Sequence, residues 1–241
     1  MRSAHDHPER IRPFTARENE AAVLGWLAGL ETDTWINDPW ALPRAELKIE
    51  QLRVARRAGL RTPPTVVTGD ADAVRTLADA APDGIIYKSL SDPLVWIGDD
   101  AGFLYSTQLG PEHLGELEGL LRHVGLFQAR IRARSELRVT VVGEMTFSVR
   151  VRAPDLDQVD WRRGLDRRQL RYEVIVLDDD LHRRILATVG ALGLTYAAVD
   201  LIEDDAGWVF LEVNPAGAYR WLETGLDLPI TPAICDLLLA T

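Results

Sequence analysis

Acidic and amide side chains interrupt an apolar segment near the C-terminal end of the sequence, FLEVNPAG (residues 210–217). Glu212 and Asn214 are two residues apart, so in a strand their side chains lie on the same face. A carboxylate in such an apolar strand needs a partner, because burying an unpaired charge is costly. Carboxylate and amide oxygens are ligands that suit Mg²⁺ or Mn²⁺. The segment is therefore a candidate for part of a metal site.

A third candidate ligand, Asp200, lies on the strand that precedes this segment. Residues 197–215, AAVDLIEDDAGWVFLEVNP, predict a hairpin with the three-residue loop Asp205–Gly207, in which the glycine adopts the left-handed conformation. This loop length places Asp200 directly across from Glu212, with Cβ atoms about 5 Å apart. Two opposed carboxylates repel each other when nothing lies between them. Asp200, Glu212 and Asn214 are therefore the predicted metal ligands.

The same register assigns the remaining side chains of the hairpin to two faces. Ile202 and Phe210 are predicted to share the face of the three ligands. The opposite face is predicted to be a core face, and its members are Val199, Leu201, Val209, Leu211 and Val213. The alternative is a solvent-exposed strand with ordinary acidic residues, which the two apolar residues on the ligand face disfavour.

Two lysines could bind the phosphates of a nucleotide held by such a metal ion. Lys88 ends the apolar strand GIIYK, and Lys48 lies on a predicted helix from residue 43 to 58. Alone, Lys88 could equally extend out of the sheet edge, and Lys48 could be a solvated helical lysine. The sequence contains no GxxxxGK[ST] and no GxGxxG, which argues against Walker-type and Rossmann-type nucleotide sites.

Composition limits the possible partners and the cellular location. The formal net charge of −10 argues against nucleic acid as a partner, because nucleic-acid binders need basic patches. No apolar run approaches the roughly 18 residues of a membrane span, so no membrane association is expected. The single cysteine, Cys235, excludes a disulfide framework and favours a cytoplasmic location. We expect Cys235 to be a buried small apolar residue.

Hydrophobic periodicity predicts a mixed α/β or α+β fold. The predicted helices cover residues 18–30, 43–58, 72–81 and 180–192. Predicted strands include TWIND (34–38), a strand with a turn in TPPTVVTGD (62–70), GIIYKSL (84–90) and GLFQARI (125–131). A further hairpin is predicted over residues 136–153. Residues 157–177 are polar and then strand-like, and the last residues follow the pattern strand, turn, strand, loop and helix.

The order of these features resembles the ATP-grasp superfamily, and in particular the ATP-grasp peptide maturases of the graspetide or microviridin type. The matching segments extend over residues 17–240 and are WINDPWALPRAELKIEQLRVARRAGLRTPPTVVT, IIYKSL, GLFQARIRARSELRVTVVGEMTFSVRV, DWRR and LGLTYAAVDLIEDDAGWVFLEVNPAGAYRWLE. The resemblance implies an α/β (α+β) ATP-grasp fold, in which two α+β subdomains clasp ATP between antiparallel sheets.

The resemblance also implies domain boundaries. Residues 1–40 would be a tail and a remnant of the pre-ATP-grasp region, 41–125 the central subdomain and 126–241 the C-terminal subdomain. Similar maturases normally begin with a further small α/β domain of several dozen residues. Most of that region is expected to be absent, trimmed or supplied by another chain.

Roles for single residues follow from the same resemblance. Lys48 and Lys88 match the two lysines that contact the phosphates of ATP. The residues that match the adenine-binding hinge strand and the ribose-contacting acid are Gln128, Ala129, Ile131 and Glu136. Arg138 and, less directly, Arg150 match arginines at the reacting phosphate, and Arg162 in the DWRR motif would contact substrate or phosphate. The predicted metal ligands match the family's metal-binding trio, so the implied cofactors are ATP and Mg²⁺ or Mn²⁺.

The implied activity is that of an ATP-dependent carboxylate–amine or carboxylate–hydroxyl ligase, which activates a carboxylate as an acyl phosphate. The expected substrate is a ribosomally made peptide, in which an Asp or Glu side chain is joined to Lys, Ser or Thr to close a ring. One alternative is the same chemistry on a small amino acid or metabolite. Another is a non-catalytic ATP-binding or peptide-binding subunit. A homodimer, or a partner protein that supplies the N-terminal region, is also expected.

Overall fold

The computed structural model describes residues 8–32, 34–91, 94–97, 100–103, 106–120, 123–152 and 170–240. The chain divides into two compact units, Met1–Trp35 and Ile36–Thr241. The first unit contains helix α1 (Pro8–Ala28), which begins ten residues before the start predicted from the apolar spacing. Within these ranges, no helix has the length and apolar character that crossing a membrane requires.

The second unit contains eight helices and eleven strands in its described part. The helices are α2 (Leu42–Ala45), α3 (Lys48–Arg57), α4 (Ala71–Ala80), α5 (Pro111–Gly115), α6 (Leu117–Leu120), α7 (Asp179–Ala191), α8 (Arg220–Leu226) and α9 (Ile230–Leu239). The strands are β1 (Thr65–Thr68), β2 (Ile85–Lys88), β3 (Leu94–Ile97), β4 (Asp100–Phe103), β5 (Thr107–Leu109), β6 (Gly125–Ala129), β7 (Ser135–Val142), β8 (Met145–Arg152), β9 (Arg171–Ile175), β10 (Tyr196–Asp204) and β11 (Gly207–Asn214).

Two predictions for the start of this unit are wrong. Residues 34–38 form no strand, because the side chain of Asn37, and not a ladder of backbone groups, binds this segment to the rest of the unit. The single helix predicted from residue 43 to 58 is two helices, α2 and α3. The break falls at Leu47, whose backbone is extended (φ −70°, ψ 105°) before α3 begins.

A four-stranded antiparallel sheet follows, in the order β1-β6-β2-β5. One of its faces packs against α4 and α6, in a core formed by Val74, Ala81, Ile85, Leu117, Phe127 and Ala129. Helix α4 begins where the Asp70 carboxylate accepts a hydrogen bond from the backbone N–H of Asp72, as N-cap aspartates do. The strands β3 and β4 form a separate hairpin.

A five-stranded antiparallel sheet, in the order β11-β10-β7-β8-β9, forms the centre of the unit. Alternate residues of β7 and β10 on one face, such as Val139 and Val199, share a core with Leu52 of α3 and Ile185 of α7. Helix α7 buries residues at positions 181, 185, 188 and 189, which is the spacing of one helical face. This helix ends before Gly193, whose φ of +77° favours glycine.

The other face of the five-stranded sheet is partly covered by α8 and α9. These helices contribute Leu222, Ile230 and Ala233 to a core with Val142 and Val149 of the sheet. The prediction that Cys235 is buried is wrong, since its side chain is exposed. The apolar face of α9 runs through positions 230, 233, 234 and 237, and position 235 projects away from that face.

Two antiparallel sheets with helices packed against them confirm the predicted α+β class. The subdomain boundaries at residues 40 and 125 stay predictions.

Candidate active site

The hairpin of β10 and β11 places Asp200 directly across from Glu212, as the sequence predicts. The loop, however, is not the predicted three residues long. Asp204 pairs with Gly207, so the turn has two residues and the register near it is shifted by one. A β-bulge between the pairs Leu201–Phe210 and Asp200–Glu212 restores the predicted register. The shorter turn and the extra residue in β11 therefore compensate each other at the two carboxylates.

The bulge also changes which apolar side chains face the core. Phe210 pairs with Leu201, and both side chains are fully buried in the core that contains α3 and α7. Val209 pairs instead with Ile202 and is absent from that core. The predicted placement of Phe210 beside the ligands is therefore wrong, as is the assignment of Val209 to the core face. Leu211, the extra residue, is only half-buried.

Arg138 joins the two carboxylates on the same face of the sheet. It is the partner of Asp200 across β7 and β10, and its Nη1 donates a hydrogen bond to Asp200 Oδ2 at 2.9 Å. The side chains of Arg138 and Asp200 are 19% and 31% exposed, so this ion pair is partly shielded from solvent. Glu136, two residues before Arg138, projects from the same face. Five predicted site residues therefore share one face of this sheet: Glu136, Arg138, Asp200, Glu212 and Asn214.

Arg150 does not join this group. It pairs with Leu137, so its side chain projects from the opposite face of the sheet. There the Arg150 guanidinium lies 5.5 Å from the ring centre of Trp208, and its Nε is 3.8 Å from Glu203 Oε2. The geometry brings Arg138, but not Arg150, to the two carboxylates.

Helix α3 places Lys48 near the same strand end. Lys48 is the first residue of α3, and Gln51 follows about one turn later. The Gln51 side chain donates to the carbonyl of Val213 at 2.8 Å and accepts from its N–H at 3.0 Å. A third hydrogen bond runs from Gln51 Nε2 to the carbonyl of Ala45. The side-chain amide thus takes the place of a neighbouring strand along the edge of β11.

Asn37 forms a second connection of this kind, on the far side of the ligands. Its Nδ2 donates to the carbonyls of Tyr196 and Pro215 at 2.8 and 2.9 Å. Its Oδ1 accepts from the N–H groups of Thr195 and Tyr196, each at 2.8 Å. Asn37 and Gln51 are both buried, and reasoning from the sequence missed both. The signal for Gln51 was a polar residue beside Leu52 on the buried face of α3, whereas nothing comparable marked Asn37.

Tyr196 holds the turn that follows Asn214. Its hydroxyl donates a hydrogen bond to the carbonyl of Gly217. Burial raises the pKa of Tyr196 to about 12, with a further contribution from Tyr219 and an opposing one from the positive charge of Arg138. Tyr196 therefore stays protonated, and remains a donor to the turn, throughout the neutral pH range.

The four-stranded sheet carries the other predicted nucleotide contacts. Lys88 pairs with Leu126, and Gln128 pairs with Ile86, so Lys88 and Gln128 project from the same face. This is the face opposite α4, because Phe127 lies in the core beneath that helix. Gln128 is 1% exposed and its Nε2 donates to Thr65 Oγ1 at 3.0 Å.

The hinge after β6 has several of its backbone groups already engaged. The N–H of Ala129 donates to the carbonyl of Pro64, and the N–H of Arg130 donates to that of Gly84. Ile131 makes no backbone–backbone hydrogen bond within the described part of the chain. Its backbone groups therefore fit the predicted contact with adenine better than the N–H of Ala129 does. Arg162 and the rest of the DWRR motif lie outside the described residues.

The predicted ligands fit a magnesium ion bound together with phosphates. Among the described residues there is no cluster of three or more His, Cys, Asp or Glu side chains that could hold a metal ion alone. The face instead offers two opposed carboxylates, Asp200 and Glu212, and the amide of Asn214. Mg²⁺ is commonly bound by one or two carboxylates plus substrate phosphates, and not by a cage of protein ligands. The donor set matches that pattern.

The sequence matches no protein-family model and no curated protein sequence, but it is similar to several solved structures. Macrocyclase MdnC from Microcystis aeruginosa MRC, bound with the precursor peptide MdnA, superposes with a TM-score of 0.85 at 27% identity, over 99% of this chain and 75% of MdnC. Macrocyclase MdnB from the same organism has a TM-score of 0.76 and 32% identity, over 95% of this chain and 70% of MdnB.

A third similar structure shares the fold at lower identity. The RiPP-associated ATP-grasp ligase of Chryseobacterium gregarium, in complex with ADP and a leader and core peptide, has a TM-score of 0.85 at 24% identity, over 96% of this chain and 70% of that ligase. These matches identify the ATP-grasp fold. The chain belongs to the family of the macrocyclase MdnB.

Proposed function

We propose that this protein is an ADP-forming ligase that joins a carboxylate of a ribosomally made peptide to an amine or hydroxyl of the same peptide. The observation that carries the proposal is the shared face of Arg138, Asp200 and Glu212 in a chain of this family. The carboxylate is the nucleophile in the first step: it attacks the γ-phosphorus of ATP, giving an acyl phosphate and ADP. In the second step the amine or hydroxyl attacks the acyl carbon, loses its proton, and phosphate leaves.

Each residue of the face has a distinct part in this reaction. Asp200, Glu212 and Asn214 would hold Mg²⁺, which neutralises charge that develops on the phosphate oxygens. Arg138 is fixed by its hydrogen bond to Asp200, so its remaining N–H groups are oriented before the substrate binds. A guanidinium suits this role because its planar donors match phosphate oxygens.

The nucleotide would lie between the two sheets. Lys48 and Lys88 contribute positive charge for the phosphates, the backbone near Ile131 contacts adenine, and Glu136 contacts the ribose. Arg150 has no direct part in this proposal, since it lies on the opposite face of the sheet. An acyl phosphate reacts with water, so closure of the site around it would protect the intermediate.

The peptide substrate is proposed from the family. MdnC was solved with its precursor peptide, and MdnB is likewise a macrocyclase. Ring closure within one peptide follows from that similarity, with an Asp or Glu side chain as the donor. A cytoplasmic location and a homodimer stay predictions. Light scattering of the purified chain tests the oligomeric state.

The test is ADP release with Mg²⁺ and ATP, with and without a candidate precursor peptide, followed by the mass of that peptide. The wild type should form ADP and remove one water per new bond, and Glu212→Gln should abolish both. Glu144→Gln is the matched control, because Glu144 is exposed in the β7–β8 turn and the chemical change is the same. ADP formation that depends on a free amino acid and ignores the peptide would replace the peptide substrate with a small molecule. No turnover by the wild type would refute the ligase.

A further inference from the structure

We propose that Asn37 and Gln51 are positioning residues for the metal site, acting through the backbone on either side of Asn214. This inference rests on the proposed function, because it concerns the ligands of the proposed Mg²⁺. Neither side chain belongs to the predicted set of ligands or nucleotide contacts. Both come from the segment before the four-stranded sheet, more than 150 residues from the strand that they hold.

Gln51 fixes the residue between two ligands. Val213 lies between Glu212 and Asn214, and both of its backbone polar groups are bonded to the Gln51 amide. Among the described strands, β11 is the edge strand of its sheet, and the backbone contact on its open side is the isolated bridge between Arg61 and Val209, four residues before Val213. The Gln51 side chain is 3% exposed, and water therefore cannot readily replace its bonds. Gln51 thus fixes the edge of β11 at the point where the two ligands project.

Asn37 fixes the residue after the last ligand. Its Nδ2 connects the carbonyl of Pro215 to that of Tyr196, which begins the strand that carries Asp200. Its Oδ1 accepts hydrogen bonds from the backbone N–H groups of Thr195 and Tyr196, at the same strand start. The amide therefore ties the end of β11 to the start of β10, and Asn214 cannot move away from Ala198 without breaking these bonds.

The bulge explains why this end of the hairpin needs the hydrogen bonds of Asn37 and Gln51. An extra residue disrupts the hydrogen-bond ladder between β10 and β11 just before Glu212. The three residues beyond the bulge, Glu212 to Asn214, are the end of the strand and include two of the ligands. A strand end beyond a bulge has few ladder bonds to keep its register, and the two buried amides add six hydrogen bonds of Asn37 and Gln51 to backbone groups at this end of the hairpin.

A positioning role predicts that substitution of Asn37 or Gln51 lowers the affinity for the metal ion specifically. If Asn37 and Gln51 only supported the fold, substituting them would weaken the binding of the metal ion and of the nucleotide alike, in proportion to the loss of folded protein. If they position Glu212 and Asn214, Mn²⁺ should bind more weakly, while the nucleotide, whose adenine is proposed to contact the backbone near Ile131, should bind nearly as before. Mn²⁺ stands in for Mg²⁺ here, because its free form is visible by electron paramagnetic resonance.

The experiment titrates MnCl₂ into the full chain saturated with AMPPNP, and separately titrates AMPPNP into the chain in EDTA. Asn37→Asp and Gln51→Glu keep the side-chain size but remove the donors. We expect the dissociation constant of Mn²⁺ to rise about tenfold in each, as expected for the loss of one to two hydrogen bonds. AMPPNP affinity in EDTA should change less than about twofold. Asn19→Asp, on the exposed surface of α1, is the matched control for the added charge.

A milder variant covers the case in which these two do not fold. Tyr196→Phe removes the hydroxyl that bonds to Gly217 in the same turn, and it keeps the packed ring. It should weaken Mn²⁺ binding by about threefold. Unchanged Mn²⁺ affinity in the folded variants, or parallel losses of Mn²⁺ and AMPPNP, would refute the positioning role and leave the ligase standing. A wild type that binds neither Mn²⁺ nor AMPPNP would refute the ligase as well.

Discussion

A single methyl group added at Gly217 should disturb the turn after Asn214. A Cβ at this position would lie 2.2 Å from the Cβ of Ala198 and 3.4 Å from the carbonyl oxygen of Asn214. Ala198 is 1% exposed near the start of β10, and it pairs with both β7 and β11, so it cannot move aside without disturbing the sheet. The carbonyl of Gly217 is also bonded to Tyr196. The turn itself must therefore shift in the variant Gly217→Ala.

The expected cost is that of inserting a methyl group into a closely packed interior, about 1–3 kcal/mol. For a chain of this size, each kcal/mol lowers Tm by about 2–4 °C, so Gly217→Ala should lose about 4–8 °C at the middle of that range. Ala198→Gly alone should also destabilise, by about 1 kcal/mol, because a glycine in a strand loses packing and gains unfolded-state entropy. The double variant moves the methyl group from one residue to the other and removes the clash. It should be more stable than Gly217→Ala alone.

Thermal unfolding followed by circular dichroism measures all four proteins of this cycle. Gly190→Ala is the matched control, because a Cβ there meets nothing within 4 Å near the end of α7. That substitution should raise Tm slightly, since alanine favours helix over glycine by about 0.5–1 kcal/mol. A double variant whose loss equals the sum of the two single losses would refute the reasoning, because it would show that the two side chains do not collide.

Three further predictions concern charge. Arg138→Met should slow ADP formation by at least about 100-fold, as loss of an electrostatic contact to the transition state does, while AMPPNP still binds. The hydrogen bond from Arg61 lowers the pKa of Asp204, so this pair stabilises the fold above the unfolded-state pKa of an aspartate. The Tm difference between wild type and Arg61→Met should therefore be present at pH 7 and vanish as the pH falls through the folded-state pKa of Asp204. Because the pKa of Tyr196 is raised to about 12, its stabilising effect should be lost as the pH rises from about 10 to about 12, and Tyr196→Phe should remove that loss.

Each of these has an outcome that contradicts it. ADP formation by Arg138→Met within about threefold of wild type would remove this arginine from the reaction, since an electrostatic contact to the transition state is worth far more. A Tm difference for Arg61→Met that persists at pH 2 would show that Asp204 is not its cause. An ultraviolet titration in which all tyrosines ionise near pH 10 in the folded protein would show that Tyr196 is not shielded from solvent.

The opposition of Asp200 and Glu212 illustrates what sequence reasoning can and cannot supply. Alternation of apolar and acidic residues, with a turn at Asp-Asp-Ala-Gly, is a local pattern, and it was sufficient to pair these carboxylates. The loop length on which this pairing was predicted was nevertheless wrong, because the hairpin has a two-residue turn and a bulge in place of the predicted three-residue loop. Sequence alone cannot locate a bulge, since the extra residue is accommodated by packing from outside the hairpin. The fully buried ring of Phe210 lies in the core with α3 and α7, and that core decides which residue is extra.

The arginines and the buried amides show the same limit. Arg138 and Arg150 both lie in alternating strands of one hairpin, and the spacing by itself does not say which of them faces the nucleotide. The register of β7 against β8 and β10 places them on opposite faces. Asn37 follows Trp35 and Ile36, two residues that favour a strand, yet its side chain satisfies backbone groups about 160 residues away. Cys235 was expected to be buried from its apolar neighbours, and the orientation of α9 exposes it.

The sequence by itself determined many of the local features: the strands of the ligand hairpin and several helices, the residues that carry oxygen ligands and positive charge, and the order of these features along the chain. These depend on the spacing of side chains over a few residues, and on a resemblance carried by five short motifs. The tertiary structure alone decided which face each charged residue occupies, where the bulge lies, and which side chains hold the ligand strand from a distance. Those outcomes depend on packing between segments far apart in the chain, because the buried groups of one segment are satisfied by another.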